Sequence, residues 1–214
     1  MRKPSITDGG LYAITADVEQ SIESLAAQIT AAIRGGATVV QYRRKSVSTA
    51  LAREELRALR KVCTDNPALL IVNDDVELAL AAGADGVHLG RDDGDWESLA
   101  TQAGRRLLLG VSCYDDIARA RHAASLGVDY VAFGSFFASG TKPEARPCSL
   151  ETLRAARASL EIPIVAIGGI TPENGAELVL AGANFLAVIS GLFAQPSVET
   201  AARRYASLFG EHHV

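Results

Sequence analysis

The sequence of 214 residues contains only three cysteines, Cys63, Cys113 and Cys148. Their number is odd, and they show neither a CxxC pair nor the spacing of zinc ligands, which argues against a disulfide framework and a zinc site. We therefore expect buried, free thiols in a reducing compartment. The alternative is a reactive thiol, for which Cys113 is the candidate.

Long apolar runs and an excess of basic residues are also missing. The first ten residues have no apolar core of signal-peptide length, and no other run approaches the length of a membrane span. The formal net charge is -4, so general nucleic-acid binding is not expected and any basic site must be local. Hydrophobic residues make up 48% of the chain, enough for a large core. These features predict a cytoplasmic protein with one domain over residues 1–214.

What the sequence does contain is eight short apolar runs, each followed by a polar or glycine-rich end and then a helical pattern. Such runs are typical of parallel strands that are covered by helices on both faces. They lie at 11–15, 39–43, 69–73, 86–90, 107–112, 130–134, 163–169 and 185–190. Similar helix-to-strand joints, in which a helix ends on a glycine, precede every second run. The pattern predicts an α/β fold, specifically a single (β/α)8 TIM barrel. The alternative is an open doubly wound sheet, but the GxGxxG fingerprint is missing after the first run.

In a barrel of this kind, the active site lies at the carboxyl ends of the strands. After the second run, Gln41, Arg43 and Lys45 share one parity, so all three can face the barrel mouth. Tyr42 and Arg44 would then face the helices or solvent. Arg44 is expected to be solvated, so that its replacement by alanine should have little effect on the use of substrate. The alternative is that the whole segment is a solvated basic strand end.

Acidic residues follow the third and fourth runs. Asp74 and Asp75 come after the third run, and Asp92, Asp93 and Asp95 come after the fourth. Helix capping and tight turns are the ordinary roles of such residues. Neighbouring strands would nevertheless bring the two clusters together beside the cations, and Mg²⁺ takes one or two carboxylates, waters and phosphate oxygens. We therefore predict a metal and phosphate site, although spacing does not choose between Asp92 and Asp93.

Glycines and hydroxyl groups follow the last three runs, in "ASGTK", "AIGGI" and "VISGLF". The loops after the last two strands of such barrels often bind phosphate, although glycines there can simply make tight turns. Histidine offers little by comparison. His88 is expected to be a hydrogen-bonded strand histidine, and no Ser-His-Asp arrangement is visible. The sequence thus favours chemistry based on phosphate and metal over chemistry based on histidine.

Six motifs, in this order along the chain, resemble the thiamine-phosphate synthase family. They are "QYRRK", "NDDVELALAAGADGVHLGRDD", "GVSCY", "DYVAFGSFFASGTK", "VAIGGI" and "AVIS". The resemblance covers nearly the whole chain. It implies that the protein joins a pyrimidine diphosphate to a thiazole phosphate and releases diphosphate. It implies no nucleic-acid or membrane partner, and a symmetric homo-oligomer is only a general prior.

The resemblance also implies specific residue roles. The implied substrate-binding residues are Gln41, Tyr42, Arg43, Arg44, Lys45, Asn73, Ser112, Ser139, Gly140, Thr141, Lys142, Gly169, Ile189 and Ser190. The implied catalytic residues are Arg43, Lys45, Ser112 and Lys142. Asp74 and Asp93 would bind Mg²⁺, the implied cofactor.

The chain departs from the usual family pattern at two positions. Ser139 stands where many members have threonine, and Tyr114 stands where many have histidine. Related thiazole tautomerases share the barrel and often carry that histidine, but their diphosphate and metal residues are incomplete. The tautomerase, another phosphate-binding barrel enzyme and a non-catalytic regulator are the alternative functions.

Overall fold

The computed structural model describes residues 3–90, 93, 95–102, 104–138 and 148–210. Within these ranges, eight parallel strands pair in chain order and close into a barrel. The first strand pairs with the last as well as with the second, so the sheet has no free edge. The predicted (β/α)8 barrel is confirmed.

The strands and helices alternate along the chain. The strands are β1 Gly10–Ile14, β2 Ala37–Tyr42, β3 Leu69–Asn73, β4 Gly86–Leu89, β5 Leu108–Tyr114, β6 Tyr130–Phe133, β7 Ile164–Ile167 and β8 Phe185–Val188. The helices are α1 Ile22–Arg34, α2 Thr49–Asp65, α3 Val76–Ala81, α4 Trp96–Thr101, α5 Ile117–Ser125, α6 Leu150–Ser159, α7 Gly175–Leu180, α8 Ser190–Phe193 and α9 Val198–Ala206, with a 3-10 turn at Ser207–Phe209. The last two strands end earlier than predicted because glycines with positive φ follow β7 and a short helix begins at Ser190.

The buried residues form two layers, as strand alternation requires. Between the strands and helices lies the larger layer, which includes Leu56, Leu70 and Leu153. Inside the barrel lies a smaller layer, which includes Tyr12, Tyr130 and Phe185. The inner layer is therefore aromatic on one side and carries phenol hydroxyl groups below the barrel mouth.

Short polar side chains fix where several helices begin. Asp75 accepts a hydrogen bond from the backbone N–H of Leu78 at the start of α3, and Asp95 does the same with Ser98 at the start of α4. Both are ordinary N-caps. The capping role predicted for the two acidic clusters therefore falls to Asp75 and Asp95, and Asp74 and Asp93 do not cap these helices.

The three cysteines are free and buried, as predicted. Burial raises the pKa of Cys113 to about 12 and that of Cys148 to about 11. A buried thiol that stays protonated is a poor nucleophile, which favours the structural interpretation of Cys113. Among the residues described, none of the helices combines the length and apolar composition needed to cross a bilayer.

Candidate active site

A pocket of about 460 Å³ opens at the carboxyl ends of the strands. It contains most of the predicted site residues that the structure describes. Those lining it are Gln41, Arg43, Lys45, Asn73, Asp74, Asp93, Ser112, Gly169, Ile189 and Ser190. The barrel therefore brings residues from six of its strand ends to one cavity. Ser139, Gly140, Thr141, Lys142 and Asp92 lie outside the described residues, so their predicted roles stay predictions.

The end of β2 is held by side chains that follow β1. The Thr15 hydroxyl oxygen accepts a hydrogen bond from the backbone N–H of Arg43 at 2.8 Å and lies 3.2 Å from its carbonyl oxygen. The Asp17 carboxylate accepts one from the backbone N–H of Lys45 at 3.2 Å. These bonds continue the β1–β2 pairing beyond the last residue of the strand. They fix the backbone so that Arg43 and Lys45 both line the pocket, as parity predicted.

Tyr42 and Arg44 lie on the other side of β2, where they line a second cavity of about 330 Å³ that shares Lys45, Asn73 and Asp74 with the first. The prediction that Arg44 is solvated is wrong, because its side chain is only 3% exposed. Its guanidinium lies 3.1 Å from the buried Glu55 carboxylate of α2 and 3.5 Å from Asp17. Neither contact has the geometry of a hydrogen bond, so both are charge–charge contacts. The Tyr42 hydroxyl donates to Glu55 at 2.6 Å. Neither Tyr42 nor Arg44 lines the first pocket, so their implied substrate-binding roles stay predictions.

The carboxylates of Asp74 and Asp93 meet at the pocket rim. The pKa of Asp93 is raised. Burial is the largest cause, and the hydrogen bond with Asp74 and the charge of Asp74 add to it. Lys45 partly offsets this negative charge, since its ammonium nitrogen lies 2.9 Å from Asp74. The Gly90 backbone N–H also donates to Asp93, at 3.1 Å. Two adjacent carboxylates make a place where a bound cation would be stabilised.

The backbone of Asp74 adopts φ of 67°, in the left-handed region that aspartate tolerates better than most residues. Its N–H donates to the His88 carbonyl at 2.9 Å and so continues the β3–β4 ladder by one residue. Strained backbone of this kind is concentrated at functional sites. Within the described ranges, no group of three or more histidine, cysteine or acidic side chains could hold a metal. A metal held by the described residues alone would therefore complete its shell with water or substrate oxygens.

The opposite wall comes from β7 and β8. Gly168 and Gly169 have φ of 105° and 62°. A β-carbon on either would overlap the chain that follows β6, at Ser135 for Gly168 and at Phe137 for Gly169. Glycine is thus needed at both positions, because the backbone turns there with positive φ and packs closely on the segment after β6. This agrees with the tight-turn alternative of the sequence analysis. Phosphate binding by this wall stays a prediction.

Ser112 lies on the pocket wall at β5, where His88 of β4 reaches it. The imidazole Nε2 lies 2.9 Å from the serine oxygen, and Nδ1 lies 3.2 Å from the Tyr130 hydroxyl. Burial lowers the pKa of His88 to about 4, so the imidazole is neutral at physiological pH. The prediction of a hydrogen-bonded strand histidine is confirmed.

Some pocket residues were not predicted as site residues. Tyr12, His88, Tyr114 and Ser135 all line the cavity. Tyr114 has φ of 59° and follows an irregularity in the β5–β6 register. Strand alternation could have identified Tyr12 and His88 as pocket residues from the sequence, since each is a polar side chain at an inward position of an apolar strand.

Comparisons with known proteins give consistent results. A family model described as thiamine monophosphate synthase matches residues 11–192. The chain is 50% identical over 203 residues to the thiamine-phosphate synthase of Acidithiobacillus ferrooxidans, and the match covers 94% of each chain. It is 49% identical over 206 residues to that of Bordetella pertussis, again with 94% of each chain covered. The structure of a thiamine phosphate pyrophosphorylase from Pyrococcus furiosus superposes with a TM-score of 0.85 at 35% identity, covering 97% of this chain and 98% of that one.

Proposed function

Because the chain belongs to the thiamine monophosphate synthase family, we propose that its pocket joins a pyrimidine diphosphate to a thiazole phosphate. The products are thiamine phosphate and free diphosphate, so the protein is a transferase. One observation carries this assignment of the site: Arg43 and Lys45 face the same pocket as the paired carboxylates Asp74 and Asp93. Such a rim of mixed charge suits a diphosphate group together with a divalent cation.

We propose Mg²⁺ as the cation, bound by Asp74 and Asp93. Two carboxylates fit its preference for a few protein oxygens, with water and phosphate oxygens completing the shell. The raised pKa of Asp93 supports the fit, because its causes after burial are the hydrogen bond with Asp74 and the charge of Asp74. When bound, the ion would supply positive charge that neutralises the diphosphate. Lys45 now lies against Asp74 and would be available to the diphosphate once the carboxylates have another cation.

The protein's own share of the chemistry is charge stabilisation and orientation. As the bond from the pyrimidine methylene carbon to the diphosphate oxygen breaks, negative charge grows on the leaving group. Arg43 and Lys45, with Lys142 from the predicted loop, would stabilise that charge, which is usually the largest single catalytic contribution. The amino group of the pyrimidine can donate electrons to the methylene carbon, so a dissociative path is reasonable.

The new bond forms between that carbon and the thiazole nitrogen. We propose that the wall formed by Gly169, Ile189 and Ser190 holds the thiazole phosphate, so that the nitrogen is aligned with the departing group. A ring nitrogen carries its own lone pair, so this step needs no protein base. The neutral, hydrogen-bonded state of His88 is compatible with such a reaction.

The proposal is tested by incubating the purified protein with both substrates and Mg²⁺, then separating the products by chromatography. Thiamine phosphate and diphosphate should appear in equal amounts, and chelation of the metal should stop their formation. An isomerised thiazole without diphosphate release would point to a tautomerase. Absence of any turnover with metal present would contradict the proposal. We also place the activity in the cytoplasm, supported by the three unpaired thiols.

A further inference from the structure

A continuous row of hydrogen bonds crosses the barrel interior beneath the pocket. It begins at Gln41 of β2, passes through Tyr12 of β1, Tyr130 of β6 and His88 of β4, and ends at Ser112 of β5. The successive distances are 2.9 Å, 2.9 Å, 3.2 Å and 2.9 Å. We call these five side chains the interior relay. Its two ends, Gln41 and Ser112, both line the pocket.

The relay is built into the core and is tightly packed. Tyr12 and Tyr130 are at most 1% exposed, where an unpaired hydroxyl would cost stability. The ring of Tyr130 stacks on the imidazole of His88 with centroids 5.6 Å apart. A β-carbon on Gly110 would overlap the phenol of Tyr130, so β5 makes room for this ring by carrying glycine there. Packing therefore holds the relay in one arrangement, independent of any ligand.

One consistent set of donors follows if every buried group in the relay is paired. The Gln41 amide donates through Nε2 to the Tyr12 oxygen. Tyr12 therefore has its single proton free to donate to Tyr130, and Tyr130 in turn donates to Nδ1 of His88. An imidazole that accepts at Nδ1 is neutral and carries its one proton on Nε2, which then donates to the Ser112 oxygen. The hydroxyl proton of Ser112 is consequently directed away from His88, into the pocket.

We infer that Tyr12, Tyr130 and His88 are positioning residues that make Ser112 a hydrogen-bond donor to the bound ligand. The ligand atom facing Ser112 must then be an acceptor, and a ring nitrogen of a neutral aminopyrimidine has that property. Identifying the acceptor in this way rests on the proposed function, whereas the direction of the relay does not. Reversing the relay would turn the Ser112 proton towards His88 and leave only lone pairs for the ligand.

The direction can be measured in the free protein, without turnover, from the ¹⁵N chemical shifts of His88. In the unaltered protein we expect Nε2 to be of the pyrrole type, carrying the proton, and Nδ1 to be of the pyridine type. At mildly alkaline pH, the Gln41→Glu variant presents a carboxylate that can only accept, so the two shifts should exchange. Tyr205→Phe, which removes a buried hydroxyl bonded to the Ile170 carbonyl outside the relay, should leave the shifts unchanged. A proton on Nδ1 in the unaltered protein, or no exchange in Gln41→Glu, would overturn the inference.

The consequence for the ligand is tested by kinetics on Tyr130→Phe, which keeps the ring and removes the hydroxyl. We expect the KM for the pyrimidine diphosphate to rise about threefold to tenfold, the effect of one hydrogen bond, with the KM for the thiazole phosphate unchanged. In a Ser112→Ala background, the same substitution should raise the KM for the pyrimidine diphosphate by less than about a further twofold, because it acts through Ser112. If the KM increases of the two single variants multiply in the double variant, Tyr130 does not act through Ser112, and the positioning role is refuted. An inactive protein with the expected ¹⁵N shifts would instead count against the proposed function.

Discussion

The two faces of the end of β2 place adjacent cations in opposite environments. On the inner face, Lys45 is 55% exposed and reaches Asp74 at the pocket rim. On the outer face, Arg44 is 3% exposed and lies against Glu55, which is fully buried. A charge at the rim can exchange one partner for another at little cost, whereas a buried charge depends on the partner it has. The same basic sequence thus supplies a site for a ligand on one face and a structural ion pair on the other.

The largest effect is expected on the inner face, at Asp74. Replacing it by asparagine keeps the size of the side chain and removes the charge that would hold the metal. Turnover should fall by about a thousandfold or more, the upper end of what loss of one preorganised charge costs. Steady-state rates over a range of Mg²⁺ concentrations measure this. The matched control is Asp75→Asn. Asp75 caps α3, and asparagine can also cap a helix. Full activity in Asp74→Asn would remove the metal assignment.

On the outer face, the expected effect is on stability. Arg44→Ala leaves Glu55 buried without its cation, which should lower the free energy of unfolding by about 3–5 kcal/mol. The sequence-based expectation of little effect concerned substrate use and stays a prediction; only its premise, a solvated Arg44, is wrong. Urea unfolding measures the change as a lower midpoint with unchanged slope.

A matched double variant, Arg44→Met with Glu55→Gln, sharpens this result. It removes both charges and keeps an acceptor for the Tyr42 hydroxyl, so most of the lost stability should return. A double variant as unstable as Arg44→Ala would show that packing of the guanidinium stem, and not the charge of Glu55, is responsible.

Back on the inner face, Arg43→Ala and Lys45→Ala should have the opposite profile. We expect each to reduce kcat/KM for the pyrimidine diphosphate about a hundredfold, from the loss of one charge that stabilises the leaving group. Their unfolding free energies should change by no more than about 0.5 kcal/mol, as for other surface substitutions. A large loss of stability with normal kinetics would reverse the roles that we assign to the two faces.

The effect that is smallest per unit of change concerns pH. It separates the relay from the ion pair, because arginine keeps its charge throughout the acidic range. The pKa of His88 is lowered by burial from 6.5 to about 4, so between these values the unfolded chain binds a proton that the folded protein does not. Its stabilising contribution is complete above pH 6.5 and is lost as pH falls towards 4, by up to about 1.4 kcal/mol per pH unit.

As pH falls through this range, the free energy of unfolding should therefore decrease more steeply for the unaltered protein than for His88→Gln. The variant removes the titrating group and keeps hydrogen-bonding capacity, so the difference between the two curves isolates His88. Parallel curves would contradict the neutral, buried state of the imidazole.

The barrel and much of the pocket could be predicted from the sequence alone. Eight apolar runs separated by helical patterns specify alternating strands and helices, and a run buried on both faces has few other folds available. Parity along β2 correctly placed Gln41, Arg43 and Lys45 on one face. These properties are local, because alternation and helical periodicity are set by the backbone within a few residues.

Which polar groups meet depends on the folded barrel. Asp75 and Asp95 cap helices while Asp74 and Asp93 face the pocket, and no spacing rule distinguishes these neighbours. Arg44 is buried because α2 brings Glu55 against the outer face of β2. The interior relay draws on five strands that come together only when the barrel closes. Such contacts depend on strand register and on helix packing, which arise from the whole fold and leave no pattern within a short stretch of sequence.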